Sequence, residues 1–131
     1  MAMFDSADAN AVLASVLGVT AYTAVTVTHI RLGTNTPTAT SNMTELSSSG
    51  YAAGGSSISW STPSGQSASN SGAVSWTNGS GSSWSLAGVE IWDVAGTPKR
   101  HLFGAWTSEP IVIAAGNIFA VATAGVTASL L

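Results

Sequence analysis

The sequence has no cysteine, which rules out disulfide staples, thiolate zinc sites and a cysteine nucleophile. It has almost no charge: 3 Lys and Arg and 6 Asp and Glu in 131 residues, or 7%, against roughly 25% in an average soluble protein. A surface this poor in charge is solvated mainly by hydroxyls or covered by neighbours. Three cations and a net charge of −3 are too few to neutralise a run of phosphates, so nucleic acid is not an expected partner. Long apolar runs are also missing. Despite a mean hydropathy of +0.34, polar residues interrupt every stretch before the roughly 20 residues that a membrane-spanning helix needs, and no membrane partner is expected. The first residues, Met-Ala-Met-Phe-Asp, lack the basic segment of a secretory signal. Export would then need another route, such as cell lysis.

What is present is Gly, Ser, Thr and Ala, with short apolar clusters and five tryptophans. The pattern predicts one all-β domain over 1–131, a β-sandwich or jelly-roll-like fold of about seven to eight strands with one short N-terminal helix. Its parts are an N-terminal helix within 1–18, a long loop or arm at 33–49 and the main sandwich at 50–131.

Asp5 is placed as an N-cap and Asp8 as a first-turn carboxylate of a helix over 5–17, with Gly18 as its stop. Val12, Leu13, Val16 and Leu17 make an apolar stripe that such a short helix must dock, either on its own sandwich or on another subunit. Thr20 to Leu32 alternates as one strand, with Thr28, Ile30 and Leu32 on one face and His29 and Arg31 on the other. Gly33 to Ser49 has turn formers and no period. Loops of that length are commonly functional or order against a neighbour.

The stretch from Trp84 to Trp106 reads as the central hairpin. Leu86, Gly88, Glu90 and Trp92 alternate with Ala87, Val89, Ile91 and Asp93, the chain turns at Val94 to Lys99, and Arg100 to Trp106 returns. Asn78-Gly79-Ser80-Gly81 predicts a tight turn between strands at Ala73 to Trp76 and at Trp84. It lacks the Lys-Ser/Thr ending and the following helix of a phosphate loop. Further short strands are expected at Ile111 to Ala115, Ile118 to Ala122 and Val126 to Leu131, and their apolar end, Leu130-Leu131, predicts a buried contact.

No catalytic constellation is visible. Ser and Thr are abundant beside His29, His101, Glu90 and Asp93, but there is no Gly-x-Ser-x-Gly elbow. Glu90 and Asp93 fall on opposite faces of a strand, which suits pairing with Lys99 and Arg100 across the hairpin better than joint acid–base work. His29 has no second ligand at metal spacing. No catalytic, metal-binding or cofactor-binding residue is assigned, no cofactor is expected, and the chain is not expected to be an enzyme. Tryptophans outside the core would mark a subunit contact or a sugar-stacking surface. The candidate assembly contacts are Val12, Leu13, Val16, Leu17, Trp76, Trp84, Trp92, Trp106, Leu130 and Leu131.

The order of motifs resembles a known family. They run from the helix ending Leu17-Gly18, then Ala21-Tyr22, through His29-Ile30-Arg31-Leu32 with Thr36-Pro37-Thr38, and on to Gly50-Tyr51 and Ile58-Ser59-Trp60 with Pro63. Asn70 before Val74-Ser75-Trp76 follows, then Trp84 with Ala87-Gly88-Val89-Glu90-Ile91-Trp92-Asp93, Leu102-Phe103-Gly104-Ala105-Trp106 and Ala115-Gly116-Asn117-Ile118-Phe119. Together they are similar to small tailed-bacteriophage virion proteins, described as tail-fibre-like or capsid decoration proteins. The resemblance implies a structural protein of the virion, made in the host bacterial cytoplasm. The first expectation is a decoration or cement protein on the outer capsid surface. It would bind the major capsid protein and copies of itself, as a homotrimer or else a dimer. The alternative is a tail-fibre or minor tail component whose exposed tryptophans contact host surface glycans.

Overall fold

The computed structural model describes residues 3–25 and 27–129. The fold is all-β with one short N-terminal helix, as expected. After β1 (Met3–Phe4), Asp5 caps helix α1 (Ser6–Val16), its carboxylate accepting from the Ala7 N–H at 3.0 Å. The helix ends at Leu17, where Gly18 takes the left-handed conformation (φ 71°) that lets the chain turn away.

The strands that follow are β2 (Thr28–Gly33), β3 (Ser56–Ile58), β4 (Ser67–Ser69), β5 (Val74–Thr77), β6 (Trp84–Leu86), β7 (Gly88–Asp93), β8 (Arg100–Ala105), β9 (Ile111–Ile113), β10 (Ile118–Val121) and β11 (Thr127–Ser129). Among the described residues, β1 joins four of them in an antiparallel sheet in the order β1-β8-β7-β2-β3. The other six form three antiparallel ribbons, β5 with β10, β4 with β11 and β6 with β9. Ile30, Leu32, Val89, Ile91 and Leu102 of the sheet meet Trp76, Trp84, Leu86, Phe119 and Val121 of the ribbons in one apolar core. Within it the Trp76 and Phe119 rings stack at 6.0 Å, and Trp106 meets Phe119 edge-on at 5.3 Å.

The strands outnumber the expected seven or eight because Met3–Phe4 and Ser67–Ser69 add short strands where none was expected and the run from Trp84 to Asp93 is cut in two. The cut is at Ala87, where the chain leaves β6, paired with β9, and enters β7, paired with β2 and β8. Its N–H donates to Gly33 O at 2.9 Å and its carbonyl accepts from Trp106 N at 3.2 Å, so the sheet change costs no backbone bond. A continuous strand would set Leu86 and Val89 on opposite faces. The break at Ala87 puts both in the same core.

Two further expectations are corrected. The strand expected from Thr20 begins only at Thr28, which sits opposite the last residue of β7, Asp93. Neither β7 nor the three-residue β3 extends past Thr28, so Val27 and the described residues from Thr20 to Val25 have no ladder partner. The Asn78–Gly81 turn does not close a hairpin, because β5 and β6 pair elsewhere. The Asn78 side chain, buried with 0% exposure, donates to Ser82 O and Ile113 O and accepts from Ser80 N, which ties the turn to β9.

The long loop at 33–49 lies on its own domain. Met43 and Leu46 are buried, Leu46 N–H donates to Leu32 O, and Thr34 N–H donates to Thr44 O. Gly88 permits this: a Cβ there would run into Asn35 O and the Pro37 ring. The loop therefore covers the sheet face that carries Arg31, Glu90, Trp92 and Phe103.

Candidate functional site

Six of the nine Asp, Glu, Lys and Arg residues, Asp5, Asp8, Glu90, Asp93, Lys99 and Arg100, gather where α1 meets the β7–β8 hairpin. Glu90 and Arg100, with side chains 2% and 3% exposed, pair at 2.9 Å, the cross-hairpin contact expected of them. Arg100 also binds Asp5 through Nη2 at 2.7 Å and Nε at 2.9 Å, and donates to the loop carbonyls of Ser41 and Ala39. Glu90 accepts in addition from Met43 N at 2.8 Å and Trp92 Nε1 at 2.9 Å. A buried charge without such partners would be costly. Here the loop, the sheet and the N-terminus share one ionic knot.

A second knot holds the helix itself. Asp8, at 1% exposure, receives Lys99 Nζ at 2.5 Å on one oxygen and His101 Nδ1 on the other. His101 Nε2 lies 3.0 Å from Asp93, so the imidazole bridges α1 to β7. Asp93 also accepts the Lys99 backbone N–H at 2.8 Å. The expected pairing of Asp93 with Lys99 is thus made by the Lys99 backbone, while its ammonium goes to the helix. The hydrogen bond to Asp8 lifts the Lys99 ammonium above its ordinary range, outweighing its partial burial. Burial works to raise Asp5, but the Ala7 N–H and the Arg100 guanidinium outweigh it and hold Asp5 below the usual carboxylate range. Asp93 is held low in the same way, burial being outweighed by the Lys99 N–H and by His101. Burial, reinforced by donation to Glu45, carries the Tyr51 phenol well above its usual range.

Because Asp8 faces the domain, the opposite side of α1 faces solvent. Leu13 is 56% exposed, Val16 78% and Leu17 68%, and the next apolar residue, Val19, 73%. Val12 is half-buried beside them. The stripe expected to dock is therefore unpartnered on its own domain. Between α1, the residues Tyr22 to Val25 and Val27, and the turn at Val94 and Ala95 lies an open cleft of about 530 Å³ with Asp8, Asp93, Lys99 and His101 in its wall. Both His101 ring nitrogens are occupied by carboxylates, so the histidine serves as a tie. Among the described residues, no group of three His, Cys, Asp or Glu is disposed to hold a metal ion.

Trp76 and Trp84, expected as contact candidates, are 6% and 2% exposed in the core and offer no surface; ribbon pairing turns both inward. Trp106 is partly buried against the same core. Trp92 is half-buried, with Arg31 4.2 Å from its ring centroid and its Nε1 bound to Glu90. Leu130 and Leu131 lie outside the described residues. Sequence reasoning missed the burial of Asp8. The available signal was its place on the helix side opposite Leu13 and Leu17, together with the adjacent cations Lys99 and Arg100 at the start of β8.

A family model described as Podophage GP4 fiber I protein gp80 matches residues 3–129. No curated protein matches the chain.

Proposed function

The chain belongs to the family of the podophage GP4 fiber I protein gp80, a family of tailed-bacteriophage virion proteins, and from that premise we propose that it is a structural subunit of a virion fibre. It acts by stoichiometric assembly and carries out no reaction of its own. The observation that carries this reading is the outward apolar face of α1, held in place by a buried ionic anchor. Exposed apolar area of this kind is what subunit contacts bury.

The charge distribution supports the same reading. Most of the charged side chains are consumed in ties within the chain, and the outer surface is left neutral and hydroxyl-rich. Such a surface suits packing against neighbours. Host-glycan contact through tryptophan is less well supported, since Trp76 and Trp84 are core residues and one ring in the remaining set, Trp92, already carries a guanidinium. Decoration of the head would use the same apolar face. What separates the two is position on the particle, and the family description favours the fibre.

Immunogold electron microscopy of intact virions, with antibody against the exposed β9 surface around Val112, tests this. Label on the tail fibres at low copy number is the expected result. Label distributed over the capsid, at a stoichiometry comparable with the major capsid protein, would reject the fibre assignment and restore head decoration.

A further inference from the structure

We infer that the partner of α1 is α1 of a second copy of this chain, packed helix on helix in parallel; the inference rests on the subunit reading above. On the solvent side of the helix, Ser6, Asn10, Leu13 and Leu17 follow one another at steps of four, three and four, and all four are exposed. That alternation is the spacing of a helix–helix seam, in which each residue meets its counterpart on a neighbouring helix. Val16, at 78% exposure, flanks the seam, and Val19 continues it beyond the helix end.

Charge selects a like copy. Residues 9–28 contain no Asp, Glu, Lys, Arg or His. The two acids at the start of the helix, Asp5 and Asp8, are turned to the domain and neutralised by Arg100 and Lys99. Two chains of net charge −3 therefore meet on α1 with no like charges opposed, whereas a charged partner would bury an ion without a counter-ion. Of the seam's two polar residues, Ser6 lies at its end and Asn10 inside it. In a parallel pair it lies opposite Asn10 of the other copy, and an amide carries both a donor and an acceptor, so the two satisfy each other and fix the register. A contact related by closed symmetry needs this kind of self-complementary patch.

The chain has no native cysteine, so single cysteines report contacts cleanly. Leu13→Cys is expected to form an inter-chain disulfide under mild oxidation at least roughly tenfold faster than Val112→Cys, a control at a similarly exposed position on β9. Leu13→Lys with Leu17→Lys is expected to weaken self-association, followed by sedimentation velocity, by roughly a hundredfold. Its circular dichroism should match wild type, because both side chains are already exposed in the single chain. Cross-linking at position 13 no faster than at 112 would overturn the proposal, as would self-association that the double lysine variant leaves unchanged. If either occurs while antibody still labels the fibres, helix pairing falls and the fibre assignment stands. If label is on the capsid and position 13 cross-links rapidly, helix pairing stands and the fibre assignment falls.

Discussion

The five-stranded sheet buries Ile30, Leu32, Val89 and Ile91 and turns its apolar side chains against the ribbons of its own chain. Helix α1 buries Asp8 and leaves Leu13, Val16 and Leu17 in solvent. Full burial of a Val or Leu side chain is worth about 1.5–3 kcal/mol, and each of those three forgoes more than half of it in the single chain. The contrast separates two tasks. A sheet closed by its own ribbons buries its apolar core face within the chain. A helix anchored by charges and left apolar outside keeps its position without using the surface that a neighbour is to cover. The anchor must then be polar, because apolar residues spent on the domain are no longer available to the partner.

The comparison is broken or sharpened by variants on each side. Glu90→Ala leaves Arg100 and the Met43 N–H without their buried acceptor and is expected to cost about 3–5 kcal/mol in denaturant unfolding. Trp84→Ala empties core volume and orphans Ser48. It is expected to cost about 3–5 kcal/mol, with the midpoint shifted and the slope unchanged. Asp8→Ala should cost less, about 1.5–3 kcal/mol, and its signature is local. Amide exchange in α1 accelerates while β2, β7 and β8 keep their protection. Loss of protection in the sheet as well would show that anchor and core are one unit.

Titration acts on the anchor from both ends. Asp5 and Asp93 have depressed pKa values in the folded state. Their contribution is present above the unfolded carboxylate value of about 3.9 and is lost as pH falls through the folded values. Lys99 is raised, so its contribution is complete below about pH 10.4 and is lost as pH rises through its folded value. Thermal melts across pH should decline at both extremes. Lys99→Met should remove part of the alkaline decline and leave the acid one. The smallest effect belongs to the outward face: Leu13→Ser should change stability by no more than about 0.5 kcal/mol, and a larger loss would mean that the stripe is docked on its own domain.

Much of the fold was legible because local patterns carried it. Asp5 and Gly18 bound the helix, and the alternation of Thr28 to Leu32 and of Val89 to Ile91 places the core face correctly. The sheet assignment was not legible, since nothing local at Ala87 marks the passage from one sheet to another; it depends on Gly33 and Trp106 being near to accept and donate its backbone bonds. The Asn78-Gly79 pair misled for a related reason. Its turn chemistry was read correctly, but its buried amide is recruited by Ile113, 35 residues away. At the candidate site the apolar stripe was visible at helical spacing. The anchor was not, because Asp8 reaches Lys99 and His101 across more than 90 positions and a first-turn carboxylate already has a sufficient local explanation.

The central claim is that the outward face of α1 is a contact surface whose partner lies outside the single chain. Covalent footprinting of Leu13, Val16 and Leu17, compared between the dilute isolated chain and intact virions, addresses it directly. Strong labelling in the isolated chain and protection in the virion, with Val112 on β9 serving as the exposed reference, is the result this account predicts. Equal labelling of all three residues in both states would contradict it.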